Sequence, residues 1–205
     1  MSGANSDSDN AVMPGGGGPV LRGRVWKFGH DVDTDVMAPW GVIAKPFEER
    51  RDHVLRIRPE FAAEVAPGDL IVAGRNWGCG SSREQAPENL ALLGVGAVVA
   101  ESFGRIYFRN AIAQAFPNVA CPGIWEATDD GDELEVHLAT ATVRNLRTGA
   151  ELTGRPYTPE MLAIVEAGGL LEVLRRKVAA GELGDGGPPV VETPVPAPDS
   201  TRSTS

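Results

Sequence analysis

Asp69-Leu-Ile-Val-Ala-Gly-Arg-Asn-Trp-Gly-Cys-Gly-Ser-Ser-Arg-Glu-Gln-Ala-Pro-Glu-Asn-Leu-Ala-Leu-Leu-Gly94 decides the fold. The apolar run at 69–74 has the length of a buried strand, and about 84–93 is an amphipathic helix that Gly94 stops. A second apolar run, Gly96-Ala-Val-Val-Ala100, completes a β-α-β unit, which requires a parallel pair with a right-handed crossover. Between the first strand and the helix lies a turn carrying Gly78, Gly80, Ser81, Ser82 and Arg83. Backbone N–H groups at a helix start attract anions, and an arginine there adds a planar fork suited to a carboxylate. The turn therefore reads as a holder for an acidic small molecule beside a reactive serine.

Outward from this unit the pattern stays α/β, in one compact domain. Leu21-Arg-Gly-Arg-Val-Trp-Lys-Phe28 alternates at strand period, then comes a polar turn, His30-Asp-Val-Asp-Thr-Asp35. Residues 47–65 include helix, limited by Pro59. A helix over Arg105 to Phe116 precedes Pro117 and a short apolar run at Val119-Ala-Cys121. Glu133–Leu138 and Ala141–Leu146 alternate around a short turn, as in a hairpin. Thr158 and Pro159 start a helix, Gly168-Gly169 end it, and a last helix runs over Leu170–Ala179.

Of the 205 residues, 1–19 and 180–205 lack apolar periodicity and read as disordered tails, leaving an ordered domain at 20–179. The net charge of −9 is shared: the first tail carries −2 and the last −3, leaving −4 on the domain. That value argues against nucleic acid only weakly. No 18-residue apolar run and no basic-then-apolar leader occur, so the chain reads as soluble and cytoplasmic, without a membrane partner. Two cysteines, Cys79 and Cys121, make neither a disulfide framework nor a metal cluster.

Two readings of the serines compete. Ser81 and Ser82 stand three residues before Glu84 and Gln85, the spacing of a capping box, so they could simply start the helix. Alternatively, glycines at 78 and 80 let the backbone approach a ligand, and Arg83 with the turn N–H groups supplies the positive field a serine base needs. A P-loop is excluded by the absence of Lys, a nucleophile elbow by Glu84, and a dinucleotide fingerprint by the glycine spacing. Cys79 reads as a loop-packing residue, and His53 and His137 as structural. Asp31, Asp33 and Asp35 fit either a metal site or an Asx-rich turn, though without the pattern of a calcium loop.

Taken together, Gly23-Arg-Val-Trp-Lys-Phe-Gly29, Asp31-Val-Asp-Thr-Asp-Val36, Pro67-Gly-Asp-Leu-Ile-Val-Ala-Gly74 and Asn76-Trp-Gly-Cys-Gly-Ser-Ser-Arg-Glu84 resemble the small subunits of 3-isopropylmalate dehydratase. Ser102-Phe-Gly-Arg-Ile106, Asn110 and Asn145-Leu-Arg-Thr-Gly149 continue the match. This is the swivelling β/α domain of the aconitase superfamily, with a mixed, partly parallel sheet flanked by helices. The resemblance implies a separate large subunit carrying a [4Fe–4S] cluster, a hydroxy-dicarboxylate substrate, and no cofactor or metal in this chain. It also assigns roles. Ser81 is the base that takes the proton α to a carboxylate, Ser82 and Arg83 hold a substrate carboxylate, and Asp35 and Thr34 support the acid/base network. The reaction is the isomerisation of 2-isopropylmalate to 3-isopropylmalate by dehydration and rehydration, in leucine biosynthesis, with the iron as Lewis acid.

The chain departs from the family pattern at Gln85, where His is usual, at Glu101, where Lys is commoner, and at Gly41-Val-Ile43, where an Arg-Tyr-Leu-like stretch is usual. By the same resemblance, residues 39–43 fall in the loop that selects the substituent. Trp40, Val42 and Ile43 favour an alkyl group, whereas a third carboxylate would need a cation, for which Arg50 and Arg51 are the candidates. The alternatives are a related dehydratase for another substituted malate, of homoaconitate or dimethylmalate type, and a non-catalytic binding subunit.

Overall fold

A computed structural model describes residues 18–182. The tails expected at 1–19 and 180–205 lie, except for their inner ends, outside the described residues. The chain divides into Met1–Val173 and Leu174–Ser205. Within the second unit the described residues are the later turns of a helix, and the sheet belongs to the first.

The strands are β1 (Val20–Lys27), β2 (Leu70–Ala73), β3 (Ala97–Ala100), β4 (Asn118–Ala120), β5 (Glu133–His137), β6 (Thr142–Asn145) and β7 (Glu151–Thr153). The helices are α1 (Thr34–Met37), α2 (Phe47–Arg50), α3 (Phe61–Glu64), α4 (Gln85–Leu92), α5 (Arg105–Ala113), α6 (Pro159–Ala167) and α7 (Leu170–Ala179), the last crossing into the second unit. All seven strands form one sheet in the order β4-β3-β2-β1-β5-β6-β7. The β4 to β1 half is parallel, and β5, β6 and β7 add antiparallel. The expected β-α-β unit is β2-α4-β3, with Val72 opposite Val99, and the expected hairpin is β5-β6, with Val136 opposite Val143.

The two sheet faces carry separate cores, because side chains alternate along each strand. Trp26, Ile71, Ala73, Val98 and Ala100 point to one side, where Phe61, Leu90, Leu93 and Tyr107 from α3, α4 and α5 cover them. Val25, Leu70, Val72, Ala97 and Val99 point to the other, where Leu134, Val136 and Val143 of the antiparallel half join the same cluster. The sheet thus curls over its own second face. Strands buried on both faces explain why β2 and β3 read as unbroken apolar runs.

The curl brings the chain after β7 back to the β4 edge. Arg155 N donates to Ala120 O at 2.7 Å. The Tyr157 hydroxyl donates to Asn118 O at 2.8 Å and accepts from Asn118 N at 2.7 Å. An open edge is thereby occupied. Burial pushes the Tyr157 phenol up to about 12, so it remains protonated while it makes both bonds. Thr158 caps α6 by accepting from Met161 N, and Gly168 closes that helix in the left-handed region, as the sequence leads one to expect. Sequence periodicity does not reveal α1 or β7, both of four residues or fewer. No described helix is long and apolar enough to cross a membrane.

Asn145 is a structural node. Its Nδ2 donates to Asp132 Oδ2 at 2.7 Å, while its Oδ1 accepts from Arg147 N and Thr148 N and sets the β6–β7 turn. Asp132 also pairs with Arg147 and accepts from Asp129 N. The Arg147 guanidinium first, then the Asp129 N and Asn145 donors, outweigh burial and hold the Asp132 carboxyl down at about 2. A depressed carboxylate stabilises the fold above its ordinary value of 3.8, and that stability fades as pH falls toward 2. Replacing Asp132 with Asn is expected to flatten this acid limb in pH-dependent urea unfolding. In the same assay Tyr157→Phe should lower stability by about 1–3 kcal/mol, because two backbone groups of β4 lose their partner.

Candidate active site

Beyond their last ladder bonds, the chains leaving β1, β2 and β3 stay laced together. Gly74 N donates to Gly29 O (3.0 Å), Asp31 N to Arg75 O (2.8 Å), Gly78 N to Val32 O (2.8 Å) and Thr34 N to Cys79 O (2.9 Å). On the other flank, Trp77 N donates to Ser102 O and Gly104 N to Trp77 O. The two segments singled out by sequence, 30–39 and 74–83, are therefore one structure at the carboxyl ends of the parallel strands, where open α/β sheets place ligands.

The lacing decides the glycines. Gly78 has φ +72° and Gly80 φ +92°. A Cβ at 78 would overlap the Tyr107 ring, and one at 80 the Asp33 carboxylate. The space expected for a ligand is filled by the protein's own side chains. Asp33 caps α1 by accepting from Asp35 N at 2.6 Å, an Asx-type turn, and Asp31 ties its loop to the second segment by accepting from Asn76 Nδ2 at 2.9 Å.

The serines do not cap α4. That helix begins at Gln85, the preceding Glu84 makes no side-chain cap, and Ser81 and Ser82 lie before it, exposed. Thr34 is buried, and its hydroxyl donates to Ser81 O at 2.9 Å, fixing the backbone that carries the serine. Arg83 is 4% exposed. Its Nη1 donates to Ala38 O at 2.6 Å, its Nη2 pairs with Asp35, and its guanidinium lies 4.8 Å from the centre of the Trp40 ring. Nε, also buried, has no acceptor. Asp35 is exposed, and Trp40 is 72% exposed despite its contact with Arg83. Val42 is half-buried, and Ile43 packs against the first core. Thus Asp35, Arg83 and Trp40 meet directly, Thr34 meets the Ser81 backbone, and Ile43 faces partly inward.

The remaining candidates take structural parts. His30 Nδ1 accepts from Arg75 N at 2.8 Å, and its ring lies 4.8 Å from that of Trp125, over Gly74. The Cys79 thiol is pushed up by burial and by Asp33 and Asp31, which disfavours the thiolate. Glu101, at the position where the family commonly has Lys, accepts from Gly123 N and Trp125 N through Oε1. Sequence reasoning missed Asn89 and Glu88, and the tie that Arg50 makes to the 37–43 segment. Asn89 Nδ2 donates to Met37 O at 2.9 Å, and buried Arg50 contacts Ile43 O and pairs with Glu88. Arg50 and Arg51, the candidates for a third carboxylate, are thus engaged elsewhere, Arg51 on Ala62 O. No local signal marks these ties, because every partner is distant in sequence or a backbone atom. A cleft of about 630 Å³ opens at the same end of the sheet, beside Phe103, Arg105, Arg109 and Arg155, and none of the predicted site residues lines it.

Residues 49–120 match the family model described as the aconitase C-terminal domain. The isopropylmalate/citramalate isomerase small subunit of Methanocaldococcus jannaschii is 47% identical over 165 residues, which is 80% of this chain and 98% of that one. The methanogen homoaconitase small subunit of Methanothermobacter thermautotrophicus is 47% identical over 173 residues, or 82% and 98%. A 3-isopropylmalate dehydratase small subunit of Aquifex aeolicus is 45% identical over 164 residues, or 78% and 97%. The crystal structure of a 3-isopropylmalate dehydratase from Methanocaldococcus jannaschii shares the fold with a TM-score of 0.74 and 33% identity, over 80% of this chain and 98% of that one. The chain belongs to the family of 3-isopropylmalate dehydratase small subunits, built on the aconitase C-terminal domain.

Proposed function

We propose that this chain is the small subunit of a heterodimeric hydro-lyase that interconverts 2-isopropylmalate and 3-isopropylmalate by dehydration and rehydration. The observation that carries the reading is the Ser81–Arg83 loop. Two exposed serine hydroxyls cap no helix, and they adjoin a buried guanidinium with one N–H still lacking an acceptor. In the proposed mechanism Ser81 Oγ removes the proton α to a substrate carboxylate. The fixed Ser81 backbone holds the hydroxyl in place, and Arg83 supplies the positive field that favours its deprotonated form. Ser82 and Arg83 grip the carboxylate, which competes with the exposed Asp35 for the guanidinium.

The chain's own residues do not fit an iron–sulfur cluster, which takes several cysteine thiolates. Cys79 and Cys121 are two, and both thiols are pushed up, Cys121 to about 11 by burial and by Glu101. In this reading a large subunit carries the cluster, which would supply the chemistry at the leaving hydroxyl.

For the substituent, the geometry favours an alkyl group. Trp40 and Val42 are apolar, Arg50 and Arg51 are engaged, and Lys45 pairs with Glu49. A malate with a smaller alkyl group is the second reading, supported by the same surface.

The test is to co-express the full chain with candidate large subunits, reconstitute the cluster anaerobically, and follow enoic-acid absorbance with a panel of alkylmalates. Turnover by a co-purifying complex is expected. A chain that captures no large subunit and turns over no malate would sink the reading. Ser81→Ala should reduce kcat by at least about 10²-fold while the complex still assembles. Loss of assembly in its place would give the serine a structural role.

A further inference from the structure

The structure assigns Arg50 a positioning role: through its ion pair with Glu88 it ties the 37–43 segment to α4 and so sets where the Trp40–Val42 wall stands relative to Arg83. This rests on the proposed function for its catalytic readout, but its geometry stands by itself.

Three carbonyls of the segment are each taken by a long side chain. Met37 O accepts from Asn89 of α4 at 2.9 Å, Ala38 O from Arg83 at 2.6 Å, and Ile43 O from Arg50 Nη1 at 3.5 Å, a long hydrogen bond. The first two hold one end of the segment to α4 and its approach. At the far end the only comparable tie among the described residues is Arg50, whose Nη2 lies 3.2 Å from Glu88 Oε2 on that same helix. The Arg50 side chain is 10% exposed, its Nε is buried without an acceptor, and its guanidinium lies 5.8 Å from the Phe47 ring. A partly satisfied buried cation is a poor source of net stability, and an apolar side chain of similar volume would pack the position as well. What the pair does provide is one fixed geometry. Between its two anchored ends the segment carries Trp40 and Val42, and Trp40 lies over Arg83. The anchor points thus determine how far the apolar wall stands from the carboxylate grip. Because a single methylene changes substrate preference by about 10–200-fold, a small shift of that wall is enough to change selection.

Two measurements test this. In the reconstituted complex, kcat/KM is compared for 2-isopropylmalate and citramalate. Arg50→Ala and Glu88→Ala are each expected to change that ratio by at least about fivefold, in the same direction. The double variant should change it no further than Arg50→Ala alone, since both break one contact, and Arg50→Lys should recover part of the loss. A ratio equal to wild type in all variants, with only the melting temperature lowered, overturns the role. In the free full-length chain, amide hydrogen exchange over 39–45 should be at least about tenfold faster in Arg50→Ala and Glu88→Ala, with α5 unchanged. Wild-type exchange there overturns the positioning role whatever the activity. Faster exchange together with a wild-type complex inactive on every malate leaves the positioning role intact and removes the proposed function.

Discussion

The site depends on one constraint, the continuation of parallel pairing beyond the strand ends. Thr34 N bonds Cys79 O and Gly78 N bonds Val32 O, so the chain leaving β1 and the chain leaving β2 run side by side for several residues more. Parallel strands deliver both segments to the same edge, which is how Asp35 meets Arg83 across 48 positions. The closeness has a steric consequence at 78 and 80, where a side chain would strike Tyr107 or Asp33. Glycine is required at 80 by the neighbouring loop and at 78 by Tyr107 of α5, and positive φ is a second reason at both positions.

From that pairing follows the burial of Arg83. A guanidinium has five donors, and taking it out of water demands acceptors for them. Ala38 O, Asp35 and the Trp40 face meet part of the demand, and Nε has none. The result is a cation that is rigidly aimed and still short of an acceptor, at an edge of the molecule where Asp35 stays exposed. Under the proposed function a carboxylate ligand would compete with Asp35 for this guanidinium, and the desolvated setting would strengthen that contact relative to one in water. Local stability and ligand affinity are in this sense opposed, the usual compromise of a preorganised polar site.

Much of this architecture is legible in the sequence, and the exceptions share a cause. β2, α4, β3, α5 and the β5-β6 hairpin announce themselves through apolar period and through Gly94, Pro117 and Gly168, because those signals are local. The pairs Tyr157–Asn118, Arg50–Glu88 and Arg83–Asp35 are invisible, since nothing nearby marks which distant group a polar side chain will meet. The serines show how a local signal misleads. Ser-x-x-Glu has capping-box spacing, yet Arg83 is anchored on Ala38 O and the helix starts only at Gln85. Pro87 then falls at its third residue, where the missing N–H removes a donor that a capping hydroxyl would take. The glycines at 78 and 80 do mark close approaches, but the approaching groups belong to the protein itself.

Whole-chain identity does not rank the substituents, because the isopropylmalate/citramalate isomerase and homoaconitase small subunits are each 47% identical to this chain. Discrimination must reside in a few contacts, and electrostatics separates the two cases more sharply than shape does. Under the proposed function a third carboxylate brought against Trp40 and Val42 would find Arg50 paired with Glu88, Arg51 bonded to Ala62 O and Lys45 in an exposed pair with Glu49, so none of the three stands ready for it. An alkyl group in the same place gains about 0.8 kcal/mol for each buried methylene. Between isopropyl and methyl the difference is therefore only about two such increments, roughly 1.6 kcal/mol or little more than one power of ten in preference. An advantage that small is sensitive to wall position, so under the proposed function the acid-versus-alkyl choice would follow from the side chains at 39–43, and the choice among alkyl groups from whatever holds those residues in place.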